Sequence, residues 1–113
     1  MAKLIAEEKL VASRPKGDRF DVRAGIGRPY AIDPQEWACP VVLTGLYDKL
    51  ADVRGASSLQ ALCLAASLLR RLLTGFVKDG GKLYHVDGHA PFEIVSCFSD
   101  VGATGESTYG ERA

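Results

Sequence analysis

SSLQALCLAASLLRRLLTGF, residues 57–76, reads as one long helix. Ser57 stands where an N-cap belongs. Gln60, three residues on, completes the capping-box pattern, in which two side chains satisfy free backbone N–H groups of the first turn. With Gln60 as the origin of a helical wheel at about 100° per residue, Ser67, Arg71, Thr74 and Lys78 fall beside it, and Arg70 lies at the margin. Leu62, Leu69, Leu72, Leu73, Ala65, Ala66 and Phe76 occupy the other side, and Leu59, Leu64 and Leu68 widen that apolar arc. A broad apolar stripe with a wet strip along its back is the pattern of a helix lying on a sheet. Gly75 could stop the helix, but Phe76 and Val77 keep the register, and Asp79-Gly80-Gly81 is the stronger stop. The predicted end is therefore near Lys78, and the helix is the central packing element.

The segments around it read as strands. LIAEEKLVA, residues 4–12, alternates imperfectly. RPKGD, residues 14–18, has the proline and glycine of a turn. In RFDVRAGIG, residues 19–27, Phe20, Val22, Ala24 and Ile26 alternate with Arg19, Asp21, Arg23 and Gly25, the period of a strand buried on one face. The two strands predict an antiparallel hairpin. Residues 28–36 are expected to form a loop, because two prolines remove donors and bias their neighbours away from helix. WACPVVLTGL, residues 37–46, predicts a third strand, with Pro40 requiring an edge or a bulge there. KLYHV, residues 82–86, predicts a fourth, DGHA a turn, and FEIVSCF, residues 92–98, a fifth. The expected fold is α+β: an antiparallel sheet of four to five strands in the order β-β-β-α-β-β, with the helix across one face. Residues 1–98 form that single domain, and residues 99–113, poor in large apolar groups, are expected to be a mobile tail.

The composition suits a globular domain, with 47% hydrophobic and 25% charged residues among 113. Fourteen basic and fourteen acidic side chains cancel. A nucleic-acid binder usually carries a basic excess, because phosphate neutralisation drives its affinity, so no nucleic-acid partner is expected. Arg14, Lys16, Arg19, Arg23 and Arg28 could cluster on the hairpin, but Asp18 and Asp21 dilute them, which favours a solvated face. Glu7, Glu8 and Lys9 interrupt any signal-like apolar run, and Arg70 and Arg71 interrupt the best candidate for a bilayer span. The expectation is a cytoplasmic protein with no membrane partner and reduced thiols at Cys39, Cys63 and Cys97.

Chemistry-bearing residues are sparse. HVDGH places His85, Asp87 and His89 close together, a ligand set that zinc or ferrous iron accepts. Asp87-Gly88 is equally an ordinary hairpin-turn pair, and the turn outweighs the metal. A cysteine nucleophile would need a histidine beside it. Cys39 and Cys63 sit in apolar contexts that raise a thiol pKa, which leaves Cys97 as the one to test. GIGRP, residues 25–29, lacks the lysine of a phosphate loop and has no helix directly after it. Trp37 reads as core before stacking platform. No catalytic set and no cofactor is expected.

The sequence GRPY followed by EWACPVVLTGL, GASSLQALCLAASLL and GGKLYHVDG resembles a family of small bacterial proteins known only as a domain of unknown function. The resemblance spans about residues 5–88 and is most specific at SLQAL. It implies a compact, strand-rich protein with one long helix, and it attaches no activity, cofactor or catalytic residue. The expected function is therefore a non-enzymatic binding or accessory protein acting through a protein–protein surface, with an immunity-like or antitoxin-like inhibitor as one version. A two-fold homodimer is the companion expectation. The alternative is a metal-binding protein or metal-dependent enzyme using His85, Asp87 and His89.

Overall fold

The computed structural model describes residues 3–98. The expected tail, residues 99–113, lies outside them. The fold is α+β. Strands β1 (Leu4–Ser13), β2 (Arg19–Gly27), β3 (Tyr30–Asp33), β4 (Glu36–Cys39), β5 (Val41–Thr44) and β6 (Val53–Gly55) precede helix α1 (Ser58–Lys78). Strand β7 (Lys82–His85) and a short helix α2 (Ile94–Phe98) follow it. A four-stranded antiparallel sheet runs β5-β2-β1-β7, and a second sheet of three antiparallel strands runs β3-β4-β6.

The β1–β2 hairpin forms as the alternation predicts. Leu10 stands opposite Val22 and Ala12 opposite Phe20, and Leu10, Ala12, Val22 and Ala24 are buried. At the turn, the Arg14 N–H donates to the Asp18 carbonyl at 3.0 Å, and Gly17 takes the positive φ of 101° that favours glycine. The poor alternation of LIAEE has a physical cause: the register slips between Leu4 and Ala6, and Ile5 is left exposed.

Helix α1 starts and ends where its caps place it. The Ser57 side chain accepts from the Gln60 N–H at 3.0 Å, and the Gln60 amide oxygen accepts from the Ala56 N–H at 2.6 Å. The helix passes through Gly75 and stops when Gly80 turns to φ 101°, with the Gly81 N–H returned to the Phe76 carbonyl at 3.0 Å. Ala61, Ala65, Leu69 and Leu73, each four residues apart, are its buried residues. They lie on both sheets, with β4 and β6 under the N-terminal half. The two alanines bring the backbones together: a Cβ at Gly55 would stand 2.7 Å from the Ala61 nitrogen.

Several expectations need correcting. The segment expected as a loop, residues 28–36, holds β3. Its prolines, Pro29 and Pro34, flank the strand, where a missing donor costs no ladder bond. The single strand expected over residues 37–46 is two strands in different sheets. Pro40 is the corner between them, its carbonyl accepting from the Gly27 N–H at 2.8 Å. Residues 47–56, between the expected third strand and the helix, contribute β6. The fifth strand expected over residues 92–98 is instead α2: Ile94 and Phe98, four apart, both pack on the core while Val95 points to water. A short apolar run of this kind fits either period, and its packing decides.

Two corrections concern α1 itself. Leu59 and Leu64, expected on the covered side, are 69% and 44% exposed. The helix also reaches the length and mean hydropathy, 1.3 over an 18-residue window, that a bilayer span needs, despite Arg70 and Arg71. Its buried i, i+4 stripe is that of a helix resting on sheets.

Candidate functional site

The HVDGH segment folds as a turn. His85 ends β7 opposite Leu10. Its carbonyl accepts from the Gly88 N–H at 2.8 Å and its N–H donates to the Ala90 carbonyl at 2.7 Å. The Asp87 carboxylate accepts from the backbone N–H groups of His89, at 2.8 Å, and Ala90, at 3.1 Å. Those donors hold its carboxyl below the usual carboxylate range, His89's first. Arg19 pins the same turn, donating to the Gly88 carbonyl at 2.7 Å while lying 4.5 Å over the Tyr84 ring. Asp87 is therefore engaged by backbone, and the His85 ring meets Phe92 edge-on at 5.4 Å. Among the described residues, no three His, Cys, Asp or Glu side chains gather in a way that could hold a metal ion.

The structure does bring His85 and a thiol to the same cleft. A cleft of about 250 Å³ is lined by Glu8, His85, Phe92, Glu93, Ser96 and Cys97. Residues from β1, β7 and α2 meet there, and neither Glu8 nor Glu93 is signalled by the sequence around His85. The chemistry runs against a nucleophile, however. Burial and then the Glu8 charge push the Cys97 thiol up, which favours the unreactive protonated form. Cys39 is pushed up by burial first and Asp52 second, and its thiol faces the Gly27 carbonyl at 3.4 Å. Cys63 is exposed on α1.

The remaining sequence candidates are structural. In GIGRP, a Cβ at Gly25 would run into the Leu4 side chain and one at Gly27 into Pro40, so both glycines serve close approach. The hairpin arginines are dispersed and engaged: Arg14 with Asp18 at 3.4 Å, Arg23 with Glu7 at 2.6 Å, and Arg19 on the turn. Exposed pairs like these contribute about 0–1 kcal/mol each. Trp37 is half-buried and packs against the core.

What stands out is the outer surface of α1. At its N-terminal end, Leu59 borders a groove of about 430 Å³ shared with Arg28, Pro29, Trp37, Ser58 and Leu62. Towards its C-terminal end a second groove, of about 460 Å³, is lined by Ser67, Arg70, Arg71, Thr74, Gly75 and Lys78. Leu64 and Val77 are exposed along the same helix. Sequence reasoning placed the polar strip correctly and missed the uncovered leucines, because a wheel shows which residues share a side and not how wide the chain's own cover is. The chain matches no family model, no curated protein and no solved structure.

Proposed function

We propose that this protein is a non-enzymatic binding module that engages another protein through the outer surface of α1. The observation that carries this reading is the gap between the helix's apolar width and its cover. Its buried residues form the single line Ala61, Ala65, Leu69 and Leu73, while Leu59, Leu64 and Val77 stand in water at 69%, 44% and 42% exposure. At about 100° per residue, Leu59 and Val77 fall on one flank of the helix and Leu64 on the other; at the N-terminal end Leu59 joins Trp37, Leu62 and Pro29 in one groove edged by Arg28, apolar area beside charge of the kind a protein-binding surface uses. The Trp37–Leu59 groove offers a place for an anchoring side chain of the kind that dominates interface energetics. A second copy of the chain in a two-fold dimer is one form of this proposal, and an inhibitor of the immunity or antitoxin type is another. Membership of the family whose GRPY, WxCP and SLQAL motifs the chain shares belongs to the same proposal.

Leu59→Asp tests it. An exposed substitution away from the core changes stability by about 0.5 kcal/mol or less, so the variant is expected to fold as the wild type does. Cross-linking in the producing cells, followed by mass spectrometry, is expected to find a partner held by the wild type and lost by Leu59→Asp. Equal capture by both, or none by either, would contradict the reading. Light scattering at micromolar concentration separates its forms, since a monomer removes the homodimer.

A further inference from the structure

Resting on that protein-binding reading, we propose that the C-terminal half of α1 receives an acidic segment of the partner, carboxylates on Arg70, Arg71 and Lys78 and apolar side chains beside Gly75. The space of about 460 Å³ is an open strip between side chains of α1 alone, bordered by three cations and two hydroxyls, with no carboxylate among its lining residues. Every charged group there is a hydrogen-bond donor, a lining that suits an anion. Among the described residues these cations also have no ion-pair partner. The ion pairs among the described residues are Arg14–Asp18, Arg23–Glu7 and Arg54–Glu36, and none involves α1. Residues 58–78 contain no Asp or Glu.

The helix dipole does not account for all of this. Cations favour a helix C-terminus, but the effect fades within the last turn. Lys78 sits there; Arg70 and Arg71 lie about two turns earlier. Gly75 is the other unexplained residue. A glycine inside a helix destabilises it relative to alanine, and close packing usually justifies one. Here a Cβ would meet nothing within 4 Å. The side chain is missing where the groove meets a neighbouring cleft of about 310 Å³, so glycine keeps the two continuous. Arg71 lines both. The neighbouring cleft adds Arg14, the Tyr47 ring and the half-buried Leu46, Leu72 and Phe76, with Asp79 at its end. Cations next to partly exposed apolar side chains match a peptide of mixed acidic and apolar residues better than a sugar–phosphate backbone. Zero net charge on the whole chain points the same way.

The probe is a fluorescein-labelled glutamate-rich peptide interrupted by leucines, titrated with the full chain and followed by fluorescence anisotropy. Binding is expected at about 50 mM salt and is expected to weaken severalfold by about 500 mM, as screening shortens the reach of surface charges. The double variant Arg70→Glu/Arg71→Glu is expected to bind roughly tenfold more weakly or worse. Gly75→Leu is expected to retain the wild-type circular dichroism spectrum and lose binding, because a Cβ there meets nothing within 4 Å and the bulk beyond it occupies the space the peptide would take. Absence of binding by the wild type would overturn the inference. So would affinity that neither variant changes, or a single-stranded oligonucleotide that competes as well as the peptide. If the peptide fails while Leu59→Asp still releases the cellular partner, the acidic-segment inference falls alone and the binding-module reading stands.

Discussion

Leu73→Ala is expected to lower the unfolding free energy by about 2–5 kcal/mol, a large share of what a domain of this size has. Leu73 is 1% exposed and belongs to the core cluster formed with Leu10, Val22, Leu43 and Leu69. Truncating it removes apolar contact and leaves a cavity in the core beneath α1, which cannot close without moving the helix or the residues packed with it. Leu59→Ala, on the same helix at 69% exposure, should change stability by about 0.5 kcal/mol or less. Chemical denaturation of the pair reads the contrast as a shift in midpoint, with the slope unchanged if compactness is kept. A loss under about 1 kcal/mol for Leu73→Ala would mean that α1 does not rest on the sheets along that line.

The second large effect concerns a single added carbon. Gly55→Ala is expected to destabilise by about 1–3 kcal/mol, the range of overpacking, and to lie at its upper end. The new Cβ would stand 2.7 Å from the Ala61 nitrogen and 3.0 Å from its Cα. Both are backbone atoms of the helix's first turns, so no flexible side chain can give way. Relief requires lifting α1 from β6, which would open the contact between the helix and the smaller sheet. The added methyl would otherwise stabilise an unstrained strand, because glycine loses more freedom on folding, so the sign of the change is informative. A thermal midpoint equal to or above that of the wild type would show that the helix does not approach β6 so closely.

The sequence was most informative where one local rule acts alone. Ser57 and Gln60 mark the helix start through their own hydrogen bonds, and Asp79-Gly80-Gly81 marks its end through a positive φ. The Arg19–Gly27 strand shows its buried face through strict alternation. Where long-range contacts decide, the sequence was silent or misleading. Pro40 announces that a ladder bond is lost, but whether it forms an edge, a bulge or a corner between sheets depends on where Gly27 lies. Phe92, Ile94, Ser96 and Phe98 fit period two, and Ile94 with Phe98 also fits a helical turn; packing against α1 selects the turn. In HVDGH the turn reading and the ligand reading rest on the same residues, and the turn is the one whose hydrogen bonds the structure describes, with Asp87 engaged by backbone donors. The residues that share a cleft with His85 are Glu8 on β1, Phe92 and Glu93 just before α2, and Ser96 and Cys97 on it, which no local pattern could indicate.

All of this depends on α1 turning one line of its surface inward and leaving the rest to solvent, and the three thiols report on that arrangement directly. Cys63 is exposed on α1, Cys97 is exposed on α2, and Cys39 is fully buried under the helix at 0% exposure. Alkylation of the native protein with iodoacetamide, resolved by peptide mass spectrometry over time, should modify Cys63 first and Cys97 more slowly, its thiol being held protonated, while Cys39 reacts only after denaturant is added. Rapid labelling of Cys39, or protection of Cys63 in the isolated monomer, would contradict the packing on which the binding surface rests.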